Sequence, residues 1–221
     1  TITLAAAPAA VTPGRLRACV VAIKPQILKT EAPALAPFAG RGALMISIAA
    51  GTHTGFLART WRAGARIVRA MPNTPGAVGA GITGLFAAKD VGPADRKRAE
   101  ILLSALGETV WVAKEDLIDA VTALSGSGPA YLFLMAEALA EAGVAQGLSA
   151  DQAEKLARAT VAGAGALLAA EKTSAAALRQ AVTSPGGTTQ AALDVLMAKD
   201  GLAALMKRAV AAARRRAEEL R

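Results

Sequence analysis

Two patterns of apolar and polar positions divide the chain. Up to about residue 115, short apolar runs alternate with stretches of helical period. Cys19–Ile23 (CVVAI), Leu44–Ala49 (LMISIA) and Ile67–Met71 have the length of buried strands, each soon followed by Pro or Gly. Helical stretches over 27–38 and 53–63 separate them. Ile82–Ala88 and Thr109–Ala113 read as further strands around a helix over Pro93–Leu106, with proline at its first position. Strands alternating with helices predict βαβ units and a parallel sheet. Beyond about residue 115 the pattern is helical throughout. Ser149-Ala150-Asp151-Gln152 is a capping box, followed at helical spacing by positions 153, 156, 157, 160, 161, 164, 167 and 168, apolar but for Thr160. Pro129–Gln146, Ala175–Val182, Thr188–Ala198 and Leu202–Leu220 complete the set. Their faces are apolar almost all round, which predicts burial against a second subunit. Gly163 and Gly165 fit a place where two helices approach closely. The expected fold is therefore α/β plus all-α: an incomplete Rossmann-like parallel-sheet domain over 1–114, then a helical dimerisation domain over 115–221.

Composition narrows the chemistry. Aromatics are 3 % of the 221 residues, too few for a base-stacking surface. The formal charge of +8 comes from scattered basic residues, densest at Arg214-Arg215-Arg216 beside two glutamates, as in a solvated helix tail. No nucleic-acid partner is expected. One cysteine (Cys19) and one histidine (His53) exclude Cys- or His-rich metal sites, and no metal is expected. The longest charge-free stretches, 70–88, 42–58 and 120–136, are broken by Pro or Gly, so no membrane span is expected. The first residues lack a signal-peptide pattern, and the expected location is cytoplasmic.

A G-x-G-x-x-G match, Gly79 to Gly84, precedes a strand-like run (ITGLFAA) rather than opening a helix, so it is not expected to hold a pyrophosphate. CVVAI lies near the N-terminus with only Ile2–Leu4 as a weak strand candidate before it. A Rossmann half needs a βαβ unit ahead of that point, so the chain is expected to begin inside a nucleotide-binding domain.

Open α/β sheets bind ligands at the carboxyl ends of their strands. Those ends here are Lys24-Pro25-Gln26, Ala49-Ala50-Gly51-Thr52 and Pro72-Asn73-Thr74-Pro75. Small residues at 49–51 admit a flat ring or ribose, and Lys24 can reach a phosphate; equally, these can be ordinary strand-ending turns. Leu124–Tyr131 (LSGSGPAY) reads as a flexible loop that becomes a helix at Pro129, and Thr183–Thr189 (TSPGGTT) as another such helix start; both offer successive backbone amides to an anion, or are simply capped by their Ser and Thr. Glu115, Asp116 and Asp119 form an acidic cluster, read as a solvated first turn or as a receiver for a cationic group. His53 has no acidic neighbour in sequence and is expected to be structural. Cys19 is expected to be inert packing.

DAVTALSGSGPAYLFLMAEALAEAGVAQGL (119–148) with LRQAVTSPGGTTQAALDVL (178–196) resembles the pyrroline-5-carboxylate reductases, which complete proline biosynthesis. VAIKPQ (21–26), ISIAAG (46–51) and RAMPNTPGAVGAGITGL (69–85) resemble that family in the same order. The resemblance implies an NAD(P)H domain, with NADPH or NADH as cofactor, and a helical domain interlocked with a partner's in a homodimer or a larger oligomer built on it. It implies an active site between the cofactor face of one subunit and helices partly from the other. Ile23, Lys24, Ala49 and Ala50 would line the cofactor, with Pro25 and Asn73 nearby. Ser184, Gly187, Thr188 and Thr189 would hold the substrate, 1-pyrroline-5-carboxylate, with Thr189 orienting its ring nitrogen as the catalytic residue and Glu115 a weaker contact. The alternatives are a related reductase acting on another imine or hydroxy acid, and a non-catalytic carboxylate-binding helical dimer.

Overall fold

The computed structural model describes residues 7–11 and 16–220; the strand candidate Ile2–Leu4 lies outside them. Five strands, β1 (Ala18–Val21), β2 (Leu44–Ser47), β3 (Ile67–Met71), β4 (Gly81–Ala87) and β5 (Gly107–Trp111), form one sheet in that order. The pairs β1–β2, β2–β3 and β4–β5 are parallel, but β4 runs antiparallel to β3. The fully parallel sheet expected from the sequence is thus corrected at one ladder. A parallel return needs a crossover of a dozen or more residues, whereas β3 reaches β4 through a short 3-10 turn, Thr74–Val78. Gly79 closes that turn with a left-handed φ of 72° and β4 opens at Gly81, so the glycine motif leads into a strand as expected.

Alternation along the buried strands sorts their side chains onto two faces. Met45 and Ile67 pack with Leu28, Phe38, Leu57 and Trp61 on one face. Leu44, Ile46, Val68 and Ala70 pack with Leu85 and Leu103 on the other. The helices between strands are α1 (Pro25–Glu31), α2 (Ala36–Gly40), α3 (Thr54–Trp61) and α4 (Pro93–Leu103). The single helix expected over 27–38 is broken by a 3-10 turn at Ala32–Leu35, because Pro33 and Pro37 lack the N–H that would continue it.

After β5, helix α5 (Leu117–Val121), a π-helical turn (Thr122–Gly126) and α6 (Gly128–Ala145) follow one another directly. LSGSGPAY is therefore largely helical rather than a loop. Ser125 and Thr122 donate their hydroxyls to the carbonyls of Val121 and Ile118, at 3.1 and 2.8 Å. This run, Leu117–Ala145, has a mean hydropathy of 1.3 and is long and apolar enough to cross a membrane by length and composition, unlike the broken stretch read from the sequence.

Contacts divide the molecule into two compact units, one ending at Ser127 but rejoined by the segment from Ala211 onward, the other Gly128–Val210. The sequence puts its change of period at 114/115. Packing changes later, since α5 belongs to the sheet unit: Ile118 and Ala123 are buried, and Gly84 of β4 admits Val121 so closely that an added Cβ would sit 2.5 Å from it.

The helical unit holds α6, α7 (Ala150–Ala170), α8 (Ala175–Ala181), α9 (Thr188–Leu196) and the first part of α10 (Leu202–Glu219). The capping box on α7 forms in both directions, at 3.3 and 3.1 Å. Gly143 lets α6 meet Ala153 of α7. Among the described residues, nothing outside the helix lies within 4 Å of a Cβ placed at Gly163 or Gly165, so these glycines mark no close approach to another of the described helices.

Candidate functional site

The sheet unit carries a cleft of about 960 Å³ where β2 gives way to α3. Its wall is the turn Ala50–His53, and Pro25, Lys29, Phe56 and Arg59 face it from α1 and α3. Gly51 has φ +67°, and a Cβ there would lie 2.5 Å from the Leu220 carbonyl oxygen, so the turn must be bare backbone. A bare turn, two apolar side chains and two exposed cations suit a large ligand with a flat ring and anionic groups.

Beside this turn lies a charged network that local sequence does not reveal. Arg69 of β3 is fully buried. Its Nη2 donates to Asp119 at 3.3 Å, and its Nη1 lies 3.6 Å from Glu115. Glu115 accepts from the Thr54 amide and the Thr54 hydroxyl, both at 2.7 Å, at the start of α3. His53 Nδ1 lies 3.6 Å from the same carboxylate, so tertiary structure supplies the acidic neighbour that its sequence lacks. The acidic cluster is thus not a solvated turn: two of its members are committed to the protein's own cation. His53, Asp116 and Asp119 also bring ligand-type atoms within 4.8 Å of one another, but Asp119 is already paired with the Arg69 guanidinium, whose charge opposes a metal ion there.

In the helical unit, Thr183–Thr189 forms a tight turn into α9, with Gly187 at the N-cap. The Gly187 amide donates to the Ser184 carbonyl at 3.0 Å. A Cβ at Gly187 would lie 2.5 Å from Ser184 Oγ, so a larger residue there would turn that exposed hydroxyl away from the helix start. No side chain caps α9, although Thr188 and Thr189 follow at once. Backbone amides and hydroxyls at such a start suit a carboxylate.

Of the residues singled out in the sequence, Pro25, Ala50 and Glu115 come together in the cleft. Ile23, Lys24, Ala49 and Asn73 belong to the same unit but do not line it. Ala49 is buried in the core, and Ile23 packs against that core. The Asn73 side chain accepts from the Ile82 amide at 2.9 Å, holding the β3–β4 turn. Ser184, Gly187, Thr188 and Thr189 all lie in the helical unit, and Glu115 in the other. Sequence reasoning missed Lys29, Phe56, Arg59 and the structural part of Arg69. Arg69 carried a signal, since a charge inside the apolar run IVRAM must find a buried partner.

Comparison with known proteins gives a consistent result. A family model for pyrroline-5-carboxylate reductase dimerisation matches residues 115–220. The chain is 43 % identical over 202 residues to a pyrroline-5-carboxylate reductase of Pseudomonas aeruginosa, covering 91 % of this chain and 73 % of that one. It is 46 % identical over 201 residues to the enzyme of that name from Synechocystis, covering 91 % and 74 %. Among solved structures, a pyrroline-5-carboxylate reductase from Coxiella burnetii superposes with a TM-score of 0.89 at 43 % identity, over 94 % of this chain and 77 % of that one. A Plasmodium falciparum pyrroline carboxylate reductase solved with NADP bound gives 0.80 at 31 % identity, over 94 % and 78 %.

Proposed function

The chain belongs to the pyrroline-5-carboxylate reductase family, and we propose that it reduces the C=N bond of 1-pyrroline-5-carboxylate to give L-proline, with NADPH or NADH as the reductant. The observation that carries this reading is the bare Ala50–Gly51 turn at the end of a parallel strand, facing the apolar and cationic side chains of α1 and α3.

The cleft is the cofactor side. Ala50 and Gly51 admit a ring close to the backbone, Pro25 and Phe56 flank it, and Lys29 and Arg59 face its anionic groups, with Ile23, Lys24, Ala49 and Asn73 shaping the strand ends around it. Bound there, the reduced nicotinamide supplies the hydride. Residues 115–221 serve dimerisation and the substrate. The amides and hydroxyls of Ser184, Gly187, Thr188 and Thr189 receive the substrate carboxylate, and Thr189 orients the ring nitrogen. The hydride goes to the imine carbon, and the nitrogen keeps or receives one proton. A protonated imine is already electrophilic, so the protein's task is alignment of two carbons rather than acid–base chemistry. That suits a chain with one histidine and one cysteine.

The exposed apolar faces of α6 and α9 are covered by a second copy, which makes the working form a homodimer or an assembly of dimers. The α6 face accounts for the hydropathy of the Leu117–Ala145 run without a bilayer, and we place the enzyme in the cytoplasm. The test is proline formation from pyrroline-5-carboxylate by the natural protein, with a panel of other cyclic imines and β-hydroxy acids beside it. Equal turnover of another imine would point to a related reductase instead.

A further inference from the structure

We propose that Arg69 and Glu115 are positioning residues, which lock the first turn of α3 and so hold the wall of the cofactor cleft in its binding shape. The inference rests on the reading of that cleft as the cofactor side. Glu115 has both oxygens on Thr54, one on the amide and one on the hydroxyl, each at 2.7 Å. The Thr54 amide is an N-terminal donor of α3 that has no partner within the helix. The N-cap residue, His53, makes no side-chain bond to do this job. A carboxylate from sixty-one positions along the chain does it instead. It thereby ties the cleft residues Ala50–His53 to the segment that leads into α5.

Arg69 explains why Glu115 is held there. Its guanidinium is fully buried on β3, the central strand, and faces both Glu115 and Asp119. One fixed cation between two carboxylates sets where each can sit. Among the described residues, Nε and Nη1 of Arg69 have no hydrogen-bond partner, so charge attraction rather than a satisfied network retains it. Glu115 is then not a ligand contact. Its oxygens are used by α3, and its effect on the reaction passes through the shape of the turn.

The test uses the natural protein and its variants Glu115→Ala, Glu115→Gln and Thr54→Val. Three quantities are measured: NADPH affinity by fluorescence, hydrogen exchange at the Thr54 amide without cofactor, and KM for pyrroline-5-carboxylate at saturating NADPH. Losing a helix cap predicts about fivefold weaker NADPH binding in Glu115→Ala, with lost protection at Thr54 and an unchanged KM. Glu115→Gln keeps one acceptor for the Thr54 amide but gives up the second oxygen and the charge that faces Arg69, so it restores only part of the affinity. Thr54→Val, which removes only the hydroxyl, gives a smaller loss in the same direction and decides the matter if Glu115→Ala does not fold. Unchanged NADPH affinity with a raised KM would make Glu115 a substrate contact and overturn the proposal, as would unchanged protection at Thr54. A natural protein that binds NADPH but does not turn over the substrate would overturn the assigned reaction while leaving the clamp to be judged by the first two readouts. One that binds no NADPH would overturn both.

Discussion

The two units of the molecule handle their apolar residues in opposite ways. The sheet unit buries Leu44, Met45, Ile46, Ile67 and Val68 on both faces of a twisted sheet, and it even buries a charge there. The helical unit exposes what it should hide: Phe133 is 64 % exposed and Val195 73 %, while the residues buried on α7 are alanines. A helix without an apolar surface to pack on has little stability of its own. The difference teaches where each unit is vulnerable, which is the interior of the first and the surface of the second.

That contrast can be broken from either side. The largest effect is expected from Arg69→Met, which leaves Asp119 buried without its cation. The sheet unit should lose about 3–5 kcal/mol, read as a lower urea midpoint. Thr189→Ala removes a half-buried hydroxyl of the helical unit and should cut kcat about 100-fold, as loss of one orienting hydrogen bond does, with the denaturation midpoint little changed. Phe133→Glu should weaken self-association by about 2–4 kcal/mol, seen as a lower mass in light scattering, while the tryptophan fluorescence of the sheet unit stays native. Gly51→Ala forces a side chain into a left-handed turn against Leu220 and should destabilise the sheet unit by about 1–3 kcal/mol, with weaker NADPH binding. The smallest effect concerns Cys19. Burial pushes its thiol pKa up, so at neutral pH less of it is thiolate. It should react with thiol reagents more slowly than a free cysteine, faster as pH rises, and at the ordinary rate once the sheet unit unfolds.

Much of this was legible in the sequence, and the rest was not for definite reasons. Strands of four to seven residues carry their own signal, because a buried strand is a short apolar run ended by a turn residue. The capping box of α7 is local and formed as read. Direction of pairing is not local: nothing within ITGLFAA says that β4 reverses, only the shortness of the link from β3. The Leu124–Tyr131 segment reads as a loop because glycine and serine signal one, while back-bonded hydroxyls and a widened turn keep it helical. Glu115 reaches Thr54, and Arg69 reaches Asp119, across fifty or more positions, so no spacing rule could pair them. The cleft was half visible. Ala50 and Gly51 announced it, but Lys29, Phe56 and Arg59 join it only once α1 and α3 are folded onto the sheet.

The most direct test of the account is to follow NADPH consumption and proline formation together, with the natural protein and pyrroline-5-carboxylate. One proline should form for each NADPH oxidised, and both should be lost together in Thr189→Ala. A folded protein that binds NADPH yet forms no proline, or forms it at the same rate without Thr189, would contradict that.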